Sequence, residues 1–388
     1  MKQLSRITEM FTESVIREMT RISDSMGGYN LSQGFPDFDS PEAIKTAAIA
    51  AINSNHNQYP VTFGEPELRQ AISEKAKWYN NIECDPATEI TVTCGATEAM
   101  MSTLRAIINP GDEIIIFEPF YENYGPDCIL SGAIPKYVAL NPPEWNFDRE
   151  KLAAVFNEKT KAIIINTPNN PTGKVFSHDE LRFIADLCIQ WDTYAITDEI
   201  YEHILYDGAK HISLASLDGM KDRTITINSV SKTYSVTGWR VGWAIAAATI
   251  TSRIRKVHDF LTVGAPTPFQ HAAVVALSFP PEYYEGLRKK YEEARAVVFE
   301  TLTKCGFRPF LPKGAYYIIA DVSELFDKLG ATDDFDFSTK LIQKTQVATV
   351  PGFSFYAERG QVTKQVRFAF CKKNETLDAV QHLLLRLI

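Results

Sequence analysis

Short apolar runs rich in Ile and Val alternate with longer stretches of helical periodicity, and this alternation constrains the fold most strongly. Apolar runs of this length are typical of strands buried on both faces of a parallel sheet. The predicted strands are Glu113–Phe117, Ala162–Asn166, Tyr194–Asp198, Thr224–Asn228 and Val241–Ile245. The predicted helices among them are Thr97–Ile108 and Asp179–Trp191. The sequence therefore predicts an α/β fold in which a mainly parallel sheet lies between helices.

The sequence changes character near Pro280-Pro281, where a long charged helix replaces the alternation. This helix is predicted over Tyr283–Lys304 and ends at Cys305-Gly306, because glycine suits the position after a helix. An extended segment, Ala315–Val322, then a helix and a strand pair follow. We expect a large domain over residues 41–281 and a smaller α+β domain over residues 282–388. Residues 1–40 are predicted to form an arm that packs on the smaller domain.

Composition excludes several classes of protein. The 388 residues include 40 basic and 48 acidic side chains, and the net charge of −8 predicts no nucleic-acid partner. No window reaches about 18 apolar residues and the N-terminus is charged throughout, so we expect no membrane helix and no secretory signal. The six cysteines are scattered without a Cys-x-x-Cys pair, which predicts neither a zinc site nor a disulfide framework. We expect a cytoplasmic protein without a metal, in which His203 and His211 are packed or solvated.

Clusters of chemically capable residues follow the predicted strands. Lys232 stands shortly after one strand, and a desolvated lysine can form a Schiff base. Asp198 ends another strand, at the sheet edge where open α/β sheets bind ligands. The turn over residues 166–173 and the small-residue loop over residues 95–99, which can bind an anion, complete the series. Each cluster alone also fits a surface lysine, a helix cap or an ordinary turn, but their joint order favours one shared site.

Seven segments together resemble the fold type I aminotransferases that depend on pyridoxal 5′-phosphate (PLP). They are SQGFPDF, NQYPVTFGEPELR, GATEA, NTPNNPTG, TDEIYEHILYDG, SVSKTYSVTGWRVG and VRFAF. The resemblance runs from about residue 14 to the C-terminus and is strongest to the branch of kynurenine–oxoglutarate transaminases, glutamine transaminase K and methionine aminotransferases. It implies a sheet of the seven-stranded type in a large domain, a smaller domain, and a homodimer with shared active sites.

The resemblance also implies catalytic roles. Lys232 would hold PLP as a Schiff base and then move protons as general base and acid. Asp198 would keep the pyridine nitrogen protonated, which makes the ring a better electron sink. Tyr201 and Asn170 would bind the ring 3-oxygen, and Asn166 would support the same region.

The remaining residues implied by the resemblance bind phosphate, ring and substrate. Backbone N–H groups of Ala96 and Thr97, the Ser229 hydroxyl and the Arg240 guanidinium would bind the cofactor phosphate. Tyr59 would reach the phosphate in the partner subunit. Tyr121 is implied to stack on the cofactor ring. The residues implied to bind the substrate carboxylate are Arg367, Asn170 and Gly34.

The implied reaction is ping-pong transfer of an amino group from an L-amino acid to a 2-oxo acid through pyridoxamine phosphate. The stretch 261–266 has no basic residue, which disfavours a strict aspartate aminotransferase and favours methionine, glutamine or aromatic, kynurenine-like donors. A cysteine-S-conjugate β-lyase remains an alternative, because it starts from the same carbanion.

Two further readings fit the sequence poorly. Ser229-x-x-Lys232 matches the Ser-x-x-Lys signature of penicillin-recognising hydrolases, but the Ser-Asp-Asn and Lys-Thr-Gly tripeptides of that family are absent. A PLP-binding regulator would need a DNA-binding domain, for which the chain has neither spare length nor a basic patch.

Overall fold

The computed structural model describes residues 2–358 and 360–388. Helices α1 to α13 are, in chain order, Val15–Ser25, Glu42–Asn53, Pro66–Lys75, Gly95–Ile107, Tyr124–Ser131, Arg149–Val155, His178–Gln190, Ala248–Thr262, Thr267–Leu277, Pro281–Lys304, Ser323–Lys328, Asp334–Thr345 and Asn374–Leu384. Strands β1 to β14 are Tyr29–Asn30, Ile90–Thr93, Glu113–Glu118, Ile134–Asn141, Asn146–Phe147, Thr160–Asn166, Tyr194–Asp198, Thr224–Ser229, Gly242–Ile245, Arg308–Pro309, Tyr317–Asp321, Val347–Ala348, Val350–Pro351 and Gln365–Ala369.

The largest sheet has the strand order β2-β9-β8-β7-β6-β3-β4-β5. The strands from β8 to β4 are parallel, whereas β9, β2 and the two-residue β5 run antiparallel to their neighbours. Both faces of this sheet are covered: Ile114 and Ile116 pack with α4 and α8, while Ile115 packs with α7 on the opposite face. The α/β fold with a mainly parallel sheet between helices is therefore confirmed, and the full burial explains why these strands are apolar throughout.

A second sheet, of order β10-β11-β14-β13, is antiparallel and lies in the C-terminal part of the chain. The N-terminal segment packs against this part, because β1 pairs with β12 and Met19 of α1 contacts Ile342 and Ala348. Helix α10 begins at Pro281, where the sequence predicts a domain boundary. The division into domains at 40 and 281 stays a prediction.

The predicted elements lie where the sequence places them, with bounds that differ by a few residues. Residues 90–93 and 134–141 form strands that the sequence analysis did not predict, because most positions of β4 are exposed or half-buried and β2 has only four residues. The single helix predicted after Val322 is two helices, α11 and α12. The six cysteines are free thiols. Within the described residues, no helix combines the length and the apolar character needed to cross a membrane.

Candidate active site

A cavity of about 810 Å³ lies at the carboxyl ends of the parallel strands, where an open α/β sheet binds its ligands. It gathers side chains and backbone from segments far apart in the chain. The sequence-predicted residues that line it are Gly34, Ala96, Thr97, Tyr121, Asn166, Asn170, Asp198, Tyr201, Lys232, Arg240 and Arg367. Ser229 and Tyr59 were also predicted for the site, but they do not line the cavity of their own chain.

Lys232 follows β8, and its side chain points into the cavity. Its Nζ donates a hydrogen bond of 3.1 Å to the Gly34 carbonyl. Desolvation lowers the pKa of Lys232 to about 8, and the positive charges of Arg240 and Arg367 act in the same direction. About a tenth of this lysine is therefore neutral, and hence nucleophilic, at pH 7, far more than at the ordinary lysine pKa of 10.5.

Asp198 ends β7 and is buried in the same cavity. Its Oδ2 accepts a hydrogen bond of 2.6 Å from the Tyr124 hydroxyl, and its Oδ1 accepts one of 3.3 Å from the Ile200 N–H. Burial raises the pKa of Asp198, although both hydrogen bonds oppose this effect. The side chain of Asn166 donates to the Asp198 carbonyl at 2.9 Å and accepts from the Asn170 N–H at 2.6 Å. This network holds the ends of β6 and β7 together.

Arg367 is almost fully buried, yet it faces no carboxylate among the described residues. Its Nη1 donates to Oδ1 of Asn170 at 2.7 Å and its Nη2 donates to the Ser32 carbonyl at 2.5 Å, while Nε has no partner. Its guanidinium lies 4.2 Å from the centre of the Tyr317 ring. Burying a fixed positive charge without a counterion is unfavourable, which indicates that an anion belongs here.

The N-terminus of α4 and Arg240 together form the candidate anion-binding loop. Gly95 has φ +79°, and a Cβ at this position would lie 2.3 Å from Arg240 Nη2. The Arg240 guanidinium donates to the Thr237 carbonyl at 3.0 Å and the Cys94 carbonyl at 3.4 Å, and within residues 2–358 and 360–388 it too lacks an ion-pair partner. Glycine thus lets a positive charge approach the free N–H groups of a helix start, a combination suited to a phosphate.

The structure places the other predicted site residues as follows. Ser229 is buried at the end of β8, and its Oγ accepts from the Ser231 N–H at 3.0 Å. The Tyr201 hydroxyl lies 2.9 Å from the Tyr317 hydroxyl. Tyr121 lies on the cavity wall, where burial raises its pKa. Tyr59 is 83% exposed, on the surface of the molecule.

Several residues of the site escaped the sequence analysis. Tyr124, which binds Asp198, lies three positions after the predicted Tyr121, and Tyr317 lies within the predicted segment Ala315–Val322. Arg17 and Glu98 also line the cavity. The tyrosines and asparagine of EPFYENY were the one sequence signal for Tyr124. The residues around Arg17 do not indicate that its side chain lies beside residues 200 or more positions away in the chain.

A second polar cluster lies buried behind Asp198. Carboxylate or imidazole atoms of Glu199, Glu202 and His211 lie within 4.8 Å of one another, a spacing compatible with a cation. The ammonium group of Lys75 forms a buried ion pair with Glu202, so the cluster already contains a cation of its own. His211, which the sequence analysis expected to be packed or solvated, lies 2.8 Å from Glu199.

A cavity of this lining on this fold defines a class of enzyme, and comparison with known proteins agrees. The family described as aminotransferase class I and II matches residues 27–383, and the chain belongs to this family. Aminotransferases of this class depend on PLP and act on amino acids and oxo acids.

Individual relatives extend the comparison. The chain is 36% identical to a kynurenine–oxoglutarate transaminase of Dictyostelium discoideum, over 99% of this chain and 96% of the relative. The structure of an N-succinyldiaminopimelate aminotransferase of Mycobacterium tuberculosis matches with a TM-score of 0.94 and 36% identity over 100% of both chains. The structure of YbdL of Escherichia coli, with a methionine aminotransferase function, matches with a TM-score of 0.92 and 33% identity over 99% of both chains.

Proposed function

We propose that this chain is a transaminase that moves the amino group of an L-amino acid to a 2-oxo acid in a ping-pong reaction. The observation that carries the proposal is a set of three cations, Lys232, Arg240 and Arg367, around one cavity. None of the three pairs with a carboxylate in the part of the chain that the structure describes. The Lys232 amine fits a carbonyl carbon, the Arg240 guanidinium fits a phosphate, and the Arg367 guanidinium fits a carboxylate.

The residues fit PLP. Lys232 would hold it covalently, and Arg240 with the N–H groups of Ala96 and Thr97 would bind its phosphate. Asp198 would face the ring nitrogen, and Tyr124 keeps this carboxylate in place. When bound, the cofactor supplies an electron sink for the carbanion at the substrate α-carbon.

Three further residues would hold the ring itself. Tyr121 is positioned to stack on one of its faces. Tyr201 and Asn170 are positioned to donate to the 3-oxygen, and Asn166 orients Asn170 through the Asn170 backbone N–H.

Arg367 would bind the α-carboxylate of the substrate in a bidentate manner, as its planar fork allows. Asn170, bonded to Arg367, would share this role. The Gly34 backbone, which lines the cavity with Arg367, would approach the same carboxylate, and the absence of a Cβ at Gly34 leaves room for the Tyr317 hydroxyl. Bound in this way, the substrate presents its Cα proton to Lys232.

Lys232 would act as the proton carrier. In its neutral form Nζ would take the proton from the substrate Cα. In its charged form it would donate this proton to C4′ of the cofactor. Its lowered pKa near 8 suits both directions, because both forms are populated at neutral pH. The ring of Tyr201, 5.8 Å from Nζ, limits the space in which the amine moves.

We further propose a homodimer with shared sites. Tyr59 and Phe260 are exposed by 83% and 91%, which supports an interface over these side chains. In such a dimer Tyr59 would reach the cofactor phosphate of the partner, and the Ser229 hydroxyl would join the phosphate cup within its own chain. The six free thiols support a reducing compartment, and we propose the cytoplasm.

Part of the cavity lining is apolar, which supports apolar substrates. Ile16, Phe35 and Leu261 belong to this lining, and they favour methionine, glutamine or aromatic, kynurenine-like amino acids. Arg17 lines the same cavity and favours aspartate aminotransferase activity instead. A pocket of this kind separates similar side chains by only about 1–3 kcal/mol, so we expect broad specificity.

The test is an assay of the full-length protein with one amino acid at a time, with and without 2-oxoglutarate. With 2-oxoglutarate we expect many turnovers that form a new oxo acid and glutamate in equal amounts, and without it no more than one equivalent of the new oxo acid per active site. Pyruvate released from a cysteine conjugate without any acceptor would instead identify β-lyase activity. No product in either case would contradict the proposal.

A further inference from the structure

Helix α8 contains a histidine, His258, that connects the anion-binding loop to the segment that carries Tyr59. The His258 ring is fully buried. Its Nδ1 lies 2.5 Å from Glu98 Oε1, and its Nε2 lies 2.7 Å from the Thr62 carbonyl oxygen. Glu98 follows Thr97 directly and lines the cavity.

Both partners of the imidazole are acceptors, which determines its protonation. A carbonyl oxygen cannot donate, so Nε2 carries a proton toward Thr62. Glu98 also accepts from the Thr262 hydroxyl at 3.0 Å and from the Cys94 N–H, so both of its carboxyl oxygens act as hydrogen-bond acceptors. The Nδ1 therefore carries the second proton, and His258 is an imidazolium paired with an ionised Glu98.

The charge of Glu98 matters because of its position. An anion-binding loop works through positive potential at the start of a helix, and a bare carboxylate in its first turn would repel a phosphate dianion. The imidazolium neutralises this carboxylate. The three donors to Glu98 also hold it in the first turn of α4.

We propose that His258 is a positioning residue for phosphate binding: in its imidazolium form it neutralises Glu98 and joins the anion-binding loop to the Thr62 segment. This inference rests on the proposed function, because it assigns the loop a phosphate ligand. It predicts that removal of the positive charge alone weakens phosphate binding, whereas removal of both charges of the pair does not.

The pKa of His258 is consistent with this assignment. Burial lowers it, but the hydrogen bond and the negative charge of Glu98 outweigh burial, so that the pKa lies above its ordinary value. Other titratable or charged groups nearby are Asp259 on the same helix, Cys94 on the loop and Arg240 beside Cys94. Burial raises the pKa of the Cys94 thiol, so it stays neutral at neutral pH.

The experiment compares the dissociation constants of PLP, pyridoxal and inorganic phosphate for the cofactor-free full-length protein. We expect His258→Gln to weaken binding of PLP and of phosphate about tenfold, and to leave pyridoxal, which lacks the phosphate, within about twofold. The double variant E98Q/H258Q should recover most of the loss. Equal losses for PLP and pyridoxal, or a double variant as weak as H258Q, would overturn the inference.

A measurement on unaltered protein covers the case in which His258→Gln does not fold. Above the ordinary histidine pKa of 6.5, as the pH rises and His258 loses its proton, the affinity ratio of PLP to pyridoxal should fall, and Glu98→Gln should abolish this fall. PLP and pyridoxal both react with Lys232 through their aldehyde, so the effect of Lys232 titration on the two affinities cancels in the ratio. A ratio that is flat in the wild-type protein would overturn the inference. Inorganic phosphate forms no bond with Lys232, so its affinity tests this inference separately from the proposed function. The proposed function is tested by the covalent attachment of PLP to Lys232.

Discussion

Arg367 Nη1 donates a hydrogen bond of 2.7 Å to Oδ1 of Asn170, a residue 197 positions earlier in the chain. Arg367 lies on β14 of the four-stranded sheet, and Asn170 follows β6 of the eight-stranded sheet. This bond therefore connects the two sheets at the cavity. A substrate carboxylate would offer the same guanidinium two charged oxygens, which is a stronger partner than one amide oxygen.

Replacement of Arg367 by lysine should reduce kcat/KM for the amino acid by about ten- to hundredfold, corresponding to about 1.5–3 kcal/mol for a charged hydrogen-bonding group. The loss should appear mainly in KM, because lysine keeps the charge and loses the bidentate fork. Arg308→Lys on β10 of the same sheet is the control, since Arg308 pairs with Glu324 at the surface. Equal effects of the two variants would exclude the proposed carboxylate site.

Gly34→Ala should impair substrate binding through a clash. The added Cβ would lie 1.8 Å from the Tyr317 hydroxyl oxygen, and that ring bonds to Tyr201 and lies under Arg367. We expect a rise in KM and a loss of about 1–3 kcal/mol of unfolding free energy. In Gly286→Ala the new Cβ meets nothing within 4 Å, so this helix substitution should be neutral or stabilising by about 0.5–1 kcal/mol. Unchanged kinetics in Gly34→Ala would contradict the assigned geometry.

The pH dependence of cofactor attachment should report the pKa of Lys232. Only the neutral amine attacks a carbonyl, and the pKa of Lys232 is lowered to about 8. The rate at which PLP attaches to cofactor-free protein should therefore rise with pH up to about 8 and then level off. A rate that keeps rising toward the ordinary lysine value of 10.5 would show that the amine is not desolvated.

The sequence predicted the strand–helix alternation and most of the cavity lining, because buried parallel strands are apolar and their carboxyl ends carry short polar motifs. Asp198, Asn170 and Lys232 all follow predicted strands at one edge of a sheet, so proximity followed from topology. Arg17, Glu98 and His258 could not be predicted in this way. Their placement depends on how α1, α4 and α8 pack, which is decided by long-range contacts between side chains rather than by local pattern.

Tyr59 shows a different limit. The resemblance assigns it to a phosphate, but within its own chain Tyr59 is exposed and does not line the cavity. A residue that acts in a partner subunit has no local signature, because its own surroundings are solvent until the partner binds. Its assignment therefore stays a prediction, as does the homodimer.

Lys75→Met should destabilise the protein strongly. Lys75 is the cation of a buried cluster with Glu202, and its removal leaves a buried carboxylate unpaired, at a loss of about 3–5 kcal/mol in unfolding free energy. Lys77→Met is the matched control, since Lys77 pairs with Glu83 at the surface, and it should unfold like the wild-type protein. Similar denaturant midpoints for the two variants would contradict the role of this buried pair.

The same pair predicts a pH dependence. Burial by itself would raise the pKa of Glu202, but the charge and hydrogen bond of Lys75 together with His203 and His211 outweigh it, and the pKa falls to about 2. A carboxyl with a lowered pKa stabilises the fold above its ordinary pKa of 4.5, and this stabilisation is lost as the pH falls toward 2. The difference in stability between wild-type protein and Lys75→Met should therefore shrink below about pH 4.5. A constant difference would contradict this ionisation.

Arg17 should set the preference between apolar and acidic donors. It lines the cavity from helix α1 and has no ion-pair partner within the described residues, so it is free to face a distal carboxylate. Arg17→Gln should lower kcat/KM for aspartate relative to methionine by about threefold or more. Arg21→Gln on the same helix is the control, because Arg21 already pairs with Glu13. An unchanged ratio in Arg17→Gln would leave the donor preference to the apolar lining.

The central claim is that Lys232 holds PLP in this cavity and that an amino acid then aminates the cofactor. Its most direct test is the absorbance spectrum of full-length protein with PLP, before and after addition of methionine, glutamine, phenylalanine or aspartate. We predict a visible band that methionine or an aromatic amino acid converts to a near-ultraviolet band, present in wild-type protein and in Lys313→Ala. A visible band that is absent from wild-type protein, or unchanged in Lys232→Ala, would contradict the claim.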